Sequence, residues 1–269
     1  MSGLGVIVGI LAVMALLSVV EALAPLHART RWSRTHLAPN LTLTAITFAT
    51  NLVMNAALVA ALVWFEAMGW GLLNAFPVAP AWEVAIVVLA LDLAFYVAHV
   101  SMHKIPAFWR VHRVHHSDPT VDVTTSIRQH PLEGLIRYGF IAFVALPLGV
   151  GLVAFAIYRL ASAIAALFEH ANIGAPLWLD RMLALVTTWP YLHKVHHSRT
   201  PAETDSNYGN ILSIWDRLFG TFTPSARGAD VAYGLHGADD PADQTSAALL
   251  AAPFRPAQTP SAQAVKVGG

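Results

Sequence analysis

The chain of 269 residues contains no cysteine, and Asp, Glu, Lys and Arg together make up only 12% of it. Without cysteine it has no means to form disulfide bonds, iron–sulfur clusters or metal sites built on thiolates. Soluble domains are about a quarter charged, whereas this chain is 56% hydrophobic. Its formal charges balance to zero, and no basic tail points to nucleic acid. The composition therefore predicts an integral membrane protein in which any bound metal is coordinated by nitrogen and oxygen atoms.

Long apolar stretches predict an all-α helical bundle with four to five membrane segments. A helical span needs about 20 apolar residues, and three stretches satisfy this, approximately 4–24, 41–65 and 82–100. Lys and Arg are absent from the loop 66–80, whereas five of them occur in 101–137. Under the positive-inside rule, the region 101–137 is predicted to face the cytoplasm.

A further apolar block covers residues 138–168, and one straight helix of that length would overshoot a bilayer. The sequence Pro147-Leu148-Gly149 stands inside it and is typical of a helix break. We therefore expect a helical hairpin of 138–148 and 151–170, which returns the chain to the side from which it started.

Histidines are concentrated in three short clusters at the ends of these spans. The pattern His-basic-Val-His-His occurs twice, at residues 112–116 and 193–197, and His99-x3-His103 precedes the first copy. Histidine is the commonest metal ligand, and helix positions i, i+3 and i+4 share one face. Three such faces on one side of the membrane predict a site for one or two transition-metal ions. A haem needs only two histidines as axial ligands and leaves most of the eight unexplained.

Imidazole suits iron, zinc, copper and nickel, and the residues alone do not rank these metals. A wider motif around the clusters does carry information, and its parts are as follows: His99-x3-His103; Phe108-Trp109-Arg110-x-His112-x2-His115-His116-Ser117; Thr124-Thr125-x2-Arg128-x-His130-Pro131-Leu132-Glu133; Phe168-Glu169-His170-Ala171-Asn172; His193-x2-His196-His197-Ser198; Asp205-x-Asn207-Tyr208-Gly209; and Trp215-Asp216-Arg217-Leu218-Phe219-Gly220-Thr221. Together these parts, which cover about residues 85–223, resemble the fatty acid hydroxylase/sterol desaturase superfamily.

The resemblance implies a membrane-bound, non-haem dimetal oxygenase. Members of this superfamily are usually described as diiron enzymes, although zinc can occupy the site of an isolated protein. They use O2 and two external electrons to hydroxylate or desaturate a lipid. No nicotinamide or flavin motif is visible here, so the electrons are expected from a separate ferredoxin-like or cytochrome b5-like protein. The choice between hydroxylation and desaturation, and between sterol, fatty acyl chain, ether lipid and carotenoid, stays open.

We expect three regions. Apolar stretches predict N-terminal transmembrane helices in 1–80, and the resemblance implies a fatty acid hydroxylase-like catalytic domain in 81–223. A composition rich in Ala, Pro and Asp predicts a loosely ordered tail in 224–269. The polar segments that carry the histidine clusters are expected to form a metal-binding cap on the cytoplasmic side of the bundle. The alanine-rich, cysteine-free composition favours a bacterial inner membrane.

Ten of the thirteen histidines are candidate metal ligands. Eight come from the three clusters, and the resemblance adds two more; the full set is His99, His103, His112, His115, His116, His130, His170, His193, His196 and His197. His27, His36 and His236 lie outside any cluster and are interpreted as ordinary interfacial or surface residues.

Polar residues next to the clusters are candidates for orienting the imidazoles through their distal nitrogen atoms. They are Asp118, Glu133, Glu169, Asp205 and Asn207. Surface solvation or helix capping explains each of them equally well. Asp92 is different, because it lies within a span, where an ionisable group needs a partner. Arg159 is the other charge at comparable depth, and we predict an Asp92–Arg159 ion pair.

Three other readings of the histidines remain. A metal transporter would place its ligands near mid-membrane, whereas these clusters lie at span ends. A metal hydrolase generally needs only three protein ligands, fewer than are present. A catalytically silent relative with a structural metal is compatible with the sequence.

Overall fold

The structure is a computed structural model that describes residues 3–28, 30 and 32–255. Apart from two isolated β-bridges, the regular structure of these residues is helical. The α-helices are α1 (Gly3–Leu23), α2 (Trp32–Thr35), α3 (Leu37–Ala67), α4 (Leu72–Ala75), α5 (Pro80–Lys104), α6 (Pro106–His116), α7 (Pro131–Leu148), α8 (Leu152–His170), α9 (Leu177–Leu183), α10 (Pro190–His196), α11 (Pro201–Thr204), α12 (Ile214–Phe219) and α13 (Ser246–Ala251). Short 3-10 helices occur at Val123–Ile127, Ser225–Ala229, Pro241–Gln244 and Ala252–Phe254.

Four helical segments are long and apolar enough to cross a membrane, namely α3 with the short α4, then α5, α7 and α8. Helix α1 adds a shorter apolar stretch, Val8–Leu23. Large apolar side chains project outward from the bundle: Phe143 is 80% exposed and Val153 is 74% exposed. Such exposure on adjacent helices is explained by a lipid environment rather than by water. The predicted integral membrane helical bundle is confirmed.

Helix α5 forms the centre of the bundle, because it packs against both α7 and α8. Its residues Val87 and Leu91 are fully buried in one apolar cluster. Leu62 of α3, Ile141 of α7 and Phe155 of α8 complete that cluster from three sides. The core therefore holds α5 in a fixed position, and the last two turns of α5 carry the first pair of histidines.

The apolar block after residue 130 folds as two helices, as its sequence predicts. Helix α7 ends at a left-handed Gly149 with φ of 70°, and α8 begins three residues later. A β-carbon on Gly149 would lie 2.9 Å from the Cα atom of Gly71, in the loop after α3. Glycine is needed at this position both for the positive φ and for the close approach of two loops. The two loops therefore meet at the end of the bundle that lies away from the histidines.

Prolines mark the starts of the helices that surround the histidines. Pro80, Pro106, Pro131 and Pro190 each stand at the first turn of α5, α6, α7 and α10. Proline is favoured there because its fixed φ suits a helix and because its missing N–H has no partner in the first turn. Each histidine pentapeptide thus lies at the C-terminal end of a short helix that proline begins.

The predicted Asp92–Arg159 pair is wrong. The Asp92 carboxylate accepts hydrogen bonds from the backbone N–H groups of Ile211 and Leu212 and from Trp215 Nε1. Arg159 donates to the Tyr138 hydroxyl at 2.9 Å. The physical reason is that the loop before α12 folds back onto α5 and satisfies the carboxylate with three N–H donors, so that no cation is required. This contact also gives the Trp215 motif a structural role.

The region after Thr223 is more ordered than its composition suggests. Its described part, up to residue 255, forms α13 and three 3-10 helices. Gln244 is buried, accepts a hydrogen bond from Arg128 and donates to the Ser117 carbonyl. Leu249 packs with Leu43 and Val114. These contacts overcome the weak local propensity of an Ala- and Pro-rich segment, while residues 256–269 lie outside the described residues.

Candidate metal centre

Nine buried histidines form two adjacent groups in which the ring nitrogen atoms within each group lie within 4.8 Å of one another. The first group contains His99, His103, His112, His116 and His196; the second contains His115, His170, His193 and His197. The rings of His116 and His197, one from each group, are stacked with centroids 4.6 Å apart. The structure therefore brings together nine of the ten predicted ligands in a pair of neighbouring sites.

The two copies of the pentapeptide contribute to both groups in a reciprocal way. In α6, His112 and His116 belong to the first group, whereas the intervening His115 points to the second. In the second copy the i and i+4 histidines belong to the second group, and His196 crosses to the first. Residues i and i+4 lie almost above one another on a helix, while i+3 is rotated to the side. Each short helix is thus placed between the two groups and supplies both.

The Nε2 atoms converge within each group. In the second group, Nε2 of His170 lies 3.0 Å from the Nε2 atoms of His115 and His193 and 3.1 Å from that of His197. In the first group, the same atoms of His99 and His116 each lie 3.2 Å from that of His112. With metal–nitrogen bonds of about 2.0–2.1 Å, neighbouring ligands around one ion are about 3 Å apart. The spacing fits a metal ion in each group.

The protonation of the imidazoles also fits metal binding. Burial, together with neighbouring His112, lowers the pKa of His115 to about 4, and burial lowers the pKa of His196 to about 3. Burial likewise holds the pKa values of His116, His193 and His197 well below the usual range. Neutral imidazole is the form that binds metals. Nε2 of His196 is buried without a hydrogen-bond partner among the described residues, which a metal ion would supply.

Backbone carbonyl groups orient several rings from the far side. The Nδ1–H groups donate to four carbonyls: His99 to Tyr208 at 2.8 Å, His115 to Arg128 at 3.3 Å, His170 to Ala166 at 2.7 Å and His196 to Ser206 at 2.7 Å. A ring that donates through Nδ1 presents the lone pair of Nε2, so these bonds select the tautomer that the converging geometry requires.

Three of the five predicted supporting side chains lie beside the ring nitrogens. Glu133 lies 3.1 Å from Nδ1 of His112, and Asp205 lies 3.3 Å from Nδ1 of His103. Glu169 lies 3.7 Å from ring nitrogens of His170 and His193, which is beyond hydrogen-bond distance. Glu133 and Glu169 are both buried, whereas the Asp205 side chain is 42% exposed. Of the two carboxylates within hydrogen-bond distance of a ring, Glu133 is therefore the one less screened by water.

The other two predicted supporting residues, Asp118 and Asn207, do not contact the nine rings. Asp118 accepts from the Thr125 hydroxyl and lies 3.1 Å from His36. Asn207 has a positive φ of 53°, and its side-chain amide donates to the Leu192 carbonyl. Asn207 therefore stabilises the loop whose carbonyls orient His99 and His196, and it acts on the site only through the backbone.

His130 is the predicted ligand that the structure does not bring into either group. Its Nδ1 accepts a hydrogen bond from the Leu132 N–H as the N-cap of α7, and its Nε2 contacts the Leu250 carbonyl. Because both ring nitrogens of His130 have hydrogen-bond partners, Leu132 and Leu250, neither is available to bind a metal ion. Its role is to begin α7 and to hold the C-terminal segment.

Three residues that support the site were missed or assigned differently from the sequence. His36, interpreted as a surface residue, is buried between Asp118 and Asp122. Arg128 is fully buried and donates to Asn40, Ser117 and Gln244. The ring of Trp109 lies 5.0 Å from that of His103. Trp109 and Arg128 had a local signal, because both belong to the motif that carries the family resemblance, whereas His36 had none.

The similarity to known proteins covers the region that contains these histidines. The profile of the fatty acid hydroxylase family matches residues 84–221, just over half of the chain. This range contains all nine converging histidines. No solved structure matches the chain.

Among curated proteins, alkylglycerol monooxygenase from Danio rerio is 32% identical over 155 residues, which are 58% of this chain and 33% of that protein. The ornithine lipid hydroxylase OlsE from Rhizobium tropici is 31% identical over 157 residues, 58% of this chain and 46% of that protein. A cholesterol 25-hydroxylase-like protein from Danio rerio is 27% identical over 143 residues, 52% of this chain and 55% of that protein. This chain thus spans only about a third to a half of the length of these relatives. The match of the family profile, which includes every converging histidine, shows that the chain belongs to the fatty acid hydroxylase family.

Proposed function

We propose that this protein is a membrane-bound lipid hydroxylase whose nine histidines hold two iron ions. The observation that carries the proposal is the pair of adjacent groups in which buried imidazoles direct Nε2 atoms towards one another. Bound iron would supply the activation of O2 for insertion into a C–H bond. Zinc fits the same nitrogen ligands, and we expect it in preparations made without iron.

The chain's own contribution is to hold, orient and protect the metal ions. Carbonyl and carboxylate acceptors fix the rings, and burial keeps the imidazoles neutral. Imidazole adds no negative charge, unlike the carboxylates of soluble diiron bundles. The site therefore keeps a high net positive charge when metals are bound, and its enclosure by helices excludes water from it.

A lipid substrate is supported by the position of the site. The histidines lie at the ends of α5 and α8, where the apolar helices finish. The relatives are named as hydroxylases or monooxygenases of lipids, which favours hydroxylation over desaturation. The same position argues against a transporter, whose ligands are expected near mid-membrane.

The electrons are proposed to come from a separate protein such as a ferredoxin or a cytochrome b5, on the cytoplasmic side. Trp109 is the aromatic residue between the first group and the outer surface, since its half-buried ring lies 5.0 Å from His103 and 5.5 Å from His116. The neighbouring residues Lys104 and Arg110 are exposed cations. This surface suits an acidic electron donor.

The decisive experiment supplies iron-loaded protein in bacterial lipid vesicles with O2 and a chemical reductant, and analyses extracted lipids by mass spectrometry. A product heavier by one oxygen atom is expected, with ¹⁸O derived from ¹⁸O2. The His115→Ala variant should lose product formation and bind less metal, whereas His236→Ala, at an exposed position outside the site, should retain both. A zinc-filled protein that incorporates iron without forming product would favour the silent-relative reading instead.

A further inference from the structure

A cavity of about 160 Å³ lies between α7 and α8, directly beside α5. Its walls include Phe95 of α5, Arg137 and Tyr138 of α7, and Arg159 and Ser162 of α8. Helix α1 contributes Ile10, and the segment before α7 contributes Gln129. The cavity is therefore lined by four helices of the membrane bundle and is partly open to the outside.

The charges of the cavity are of one sign. Two arginines line it, and none of the described residues that line it is acidic. Arg137 has a partial counter-charge, because its guanidinium lies 3.8 Å from Glu133. The Glu133 carboxylate is shared, however, with Nδ1 of His112 at 3.1 Å.

Arg159 has no carboxylate partner within the described residues. Its contacts are the Tyr138 hydroxyl at 2.9 Å and the face of the Tyr138 ring, 5.0 Å from the centroid. Asp92, which the sequence suggested as its partner, is occupied by three N–H donors. An arginine inside a membrane segment is costly unless it is paired or serves a ligand. Apart from the donor that binds Tyr138, the guanidinium of Arg159 therefore faces no anion among the described residues, and an anionic ligand would supply one.

The cavity lies next to the metal centre. The ring of Phe95, in its wall, is 6.0 Å from the ring of His99 in the first group. Ala166, also in the wall, accepts the Nδ1–H of His170 in the second group through its carbonyl. A molecule bound in the cavity is thus separated from either group by a single residue.

We infer that this cavity binds the anionic group of a lipid, a carboxylate or a phosphate, through Arg159 and Arg137. Guanidinium groups recognise both anions by paired N–H donors. Gln129 already accepts from Arg137 and donates to the Ser126 carbonyl. The Ser162 hydroxyl accepts from Asn210, so the two arginines are the anion-binding groups. Apolar wall residues such as Ile141 and Leu167 suit the adjoining methylene groups. Pockets that enclose a whole drug-sized ligand are about 300–1,000 Å³, so this cavity holds the anionic end and the first part of the chain only.

The inference deepens the proposed function, because the bound lipid would be its substrate. Anchoring the anionic group at a fixed place next to the metals would select which carbon is presented for oxidation. Binding needs neither O2 nor electrons, so it is measured separately from the reaction.

The test titrates full-length protein in neutral detergent micelles, without reductant, with three fluorescent polyene lipids. These are cis-parinaric acid, the lysophosphatidic acid that carries the same chain, and the neutral methyl ester. The wild type is expected to bind at least one of the anionic probes about 10-fold more tightly than the ester, a ratio that corresponds to ~1.4 kcal/mol. Whichever anionic probe binds better identifies the source as carboxylate or phosphate.

The variant Arg159→Gln should lose this preference while its affinity for the ester stays within about twofold, since only the charged contact is removed. The matched control Arg181→Gln, at an exposed position on α9 outside the cavity, should bind like the wild type. Equal binding of acid and ester by the wild type, or an unchanged preference in Arg159→Gln, overturns the inference.

A second variant covers the case in which Arg159→Gln does not fold. Ala163→Phe fills the cavity from its half-buried wall position and should weaken all three probes about 10-fold or more, the equivalent of ~1.4 kcal/mol. Unchanged binding in that variant places the lipid elsewhere and rejects the cavity. If the protein prefers the anionic probes but forms no oxygenated product, the anion site is supported and the proposed reaction is rejected. If Arg159→Gln forms as much product as the wild type and the anionic preference is absent, the reaction is supported and the anion site is rejected.

Discussion

At the scale of single residues, the metal centre depends on acceptors that fix each imidazole from behind. Glu133 is the strongest of these, because its buried carboxylate faces Nδ1 of His112. His112 in turn lies 3.2 Å from two other Nε2 atoms of its group. A change at Glu133 is therefore transmitted to the ligand at the centre of the first group.

We predict that Glu133→Gln lowers the affinity of the first metal site by about 10- to 100-fold, the usual effect of removing a supporting carboxylate. The amide keeps the shape of the side chain but loses the charge that favours a protonated Nδ1. Competition with a metal chelator measures the effect. Asp205→Asn, at a partly exposed carboxylate beside His103, should cause a smaller loss of metal affinity. Equal losses in the two variants would show that burial of the carboxylate does not strengthen its effect on the ligand.

His36 gives a prediction for stability against pH. Burial by itself lowers its pKa, but hydrogen bonds to Asp118 and Asp122 outweigh burial and raise the pKa to about 10. Arg128 faces the same Asp118, and Glu21 faces Asp122. Because the folded pKa lies above the ordinary value, the stabilisation is complete below about pH 6.5 and is lost as the pH rises through about 10.

His36→Gln should therefore lower stability at pH 6.5 by about 1.5–3 kcal/mol, the size expected for hydrogen bonds to charged groups. The difference from the wild type should shrink towards pH 10. Thermal unfolding in detergent across this pH range checks it, with His236→Gln as the control. A constant difference at every pH would show that the proton on His36 has no part in the effect.

At the scale of secondary-structure elements, the loop before α12 is attached to α5 through one carboxylate. Asp92 receives three N–H donors from residues 211–215. Asp216, a few residues later, accepts from the N–H groups of Tyr208 and Gly209. The Tyr208 carbonyl then accepts from His99, so this attachment positions part of the site.

Asp92→Ala is predicted to destabilise the fold by about 2–4 kcal/mol, because it leaves three donors without a partner. The double exchange Asp92→Arg with Arg159→Asp should not restore stability, since the two residues are not paired. Unfolding temperatures of the single and double variants measure this. Restoration by the exchange would revive the ion pair that the sequence suggested.

The turn between α7 and α8 offers a matched pair of glycine substitutions. Gly149→Ala should destabilise by about 1–2 kcal/mol or more, because a left-handed φ is unfavourable for alanine and its β-carbon would meet Gly71. Gly139→Ala, within α7 and with open space around it, should be neutral or stabilise by about 0.5–1 kcal/mol. Similar effects at both positions, measured by thermal unfolding, would contradict this account of the turn.

At the scale of the whole molecule, the two histidine groups join segments that are distant in sequence. Helices α5, α6, α8 and α10 all end at the same place and contribute ligands. Nine buried rings face one another, and several of their ring nitrogens have no hydrogen-bond partner among the described residues. Bound metal is expected to stabilise the entire bundle by mass action.

We predict two metal ions per chain and a marked loss of stability on chelation, of about 2.7 kcal/mol if the free metal concentration is 100 times the dissociation constant. Elemental analysis and unfolding temperatures measure the two quantities. His103→Ala should lower occupancy of the first group, and His193→Ala that of the second, each towards one ion per chain. One ion in the wild type, lost equally in both variants, would argue for a single shared site.

Much of this architecture follows from local sequence. Apolar runs of the length of a bilayer produce the spans, Pro147-Leu148-Gly149 ends α7, and the spacing of the pentapeptides puts their histidines on helix ends. Each of these signals lies within a single helix or at its end, where propensity and periodicity can detect it. The same local reasoning failed for Asp92, because its three N–H donors lie more than 100 positions away along the chain. His130 has one partner nearby, the Leu132 N–H, and one distant partner, the Leu250 carbonyl.

The sequence by itself determined that the protein is an α-helical membrane bundle with its imidazoles at one end and no thiolate to compete with them. Only the tertiary structure decided which imidazole joins which group, since a helix fixes the angle between i, i+3 and i+4 but not the neighbour that each one meets. It also decided that backbone carbonyls orient several rings, because a carbonyl is present at every residue and carries no signal in the sequence. The environment of Arg159 has the same origin: packing places three N–H donors on the carboxylate of Asp92 and leaves the guanidinium beside Tyr138, at the wall of a cavity.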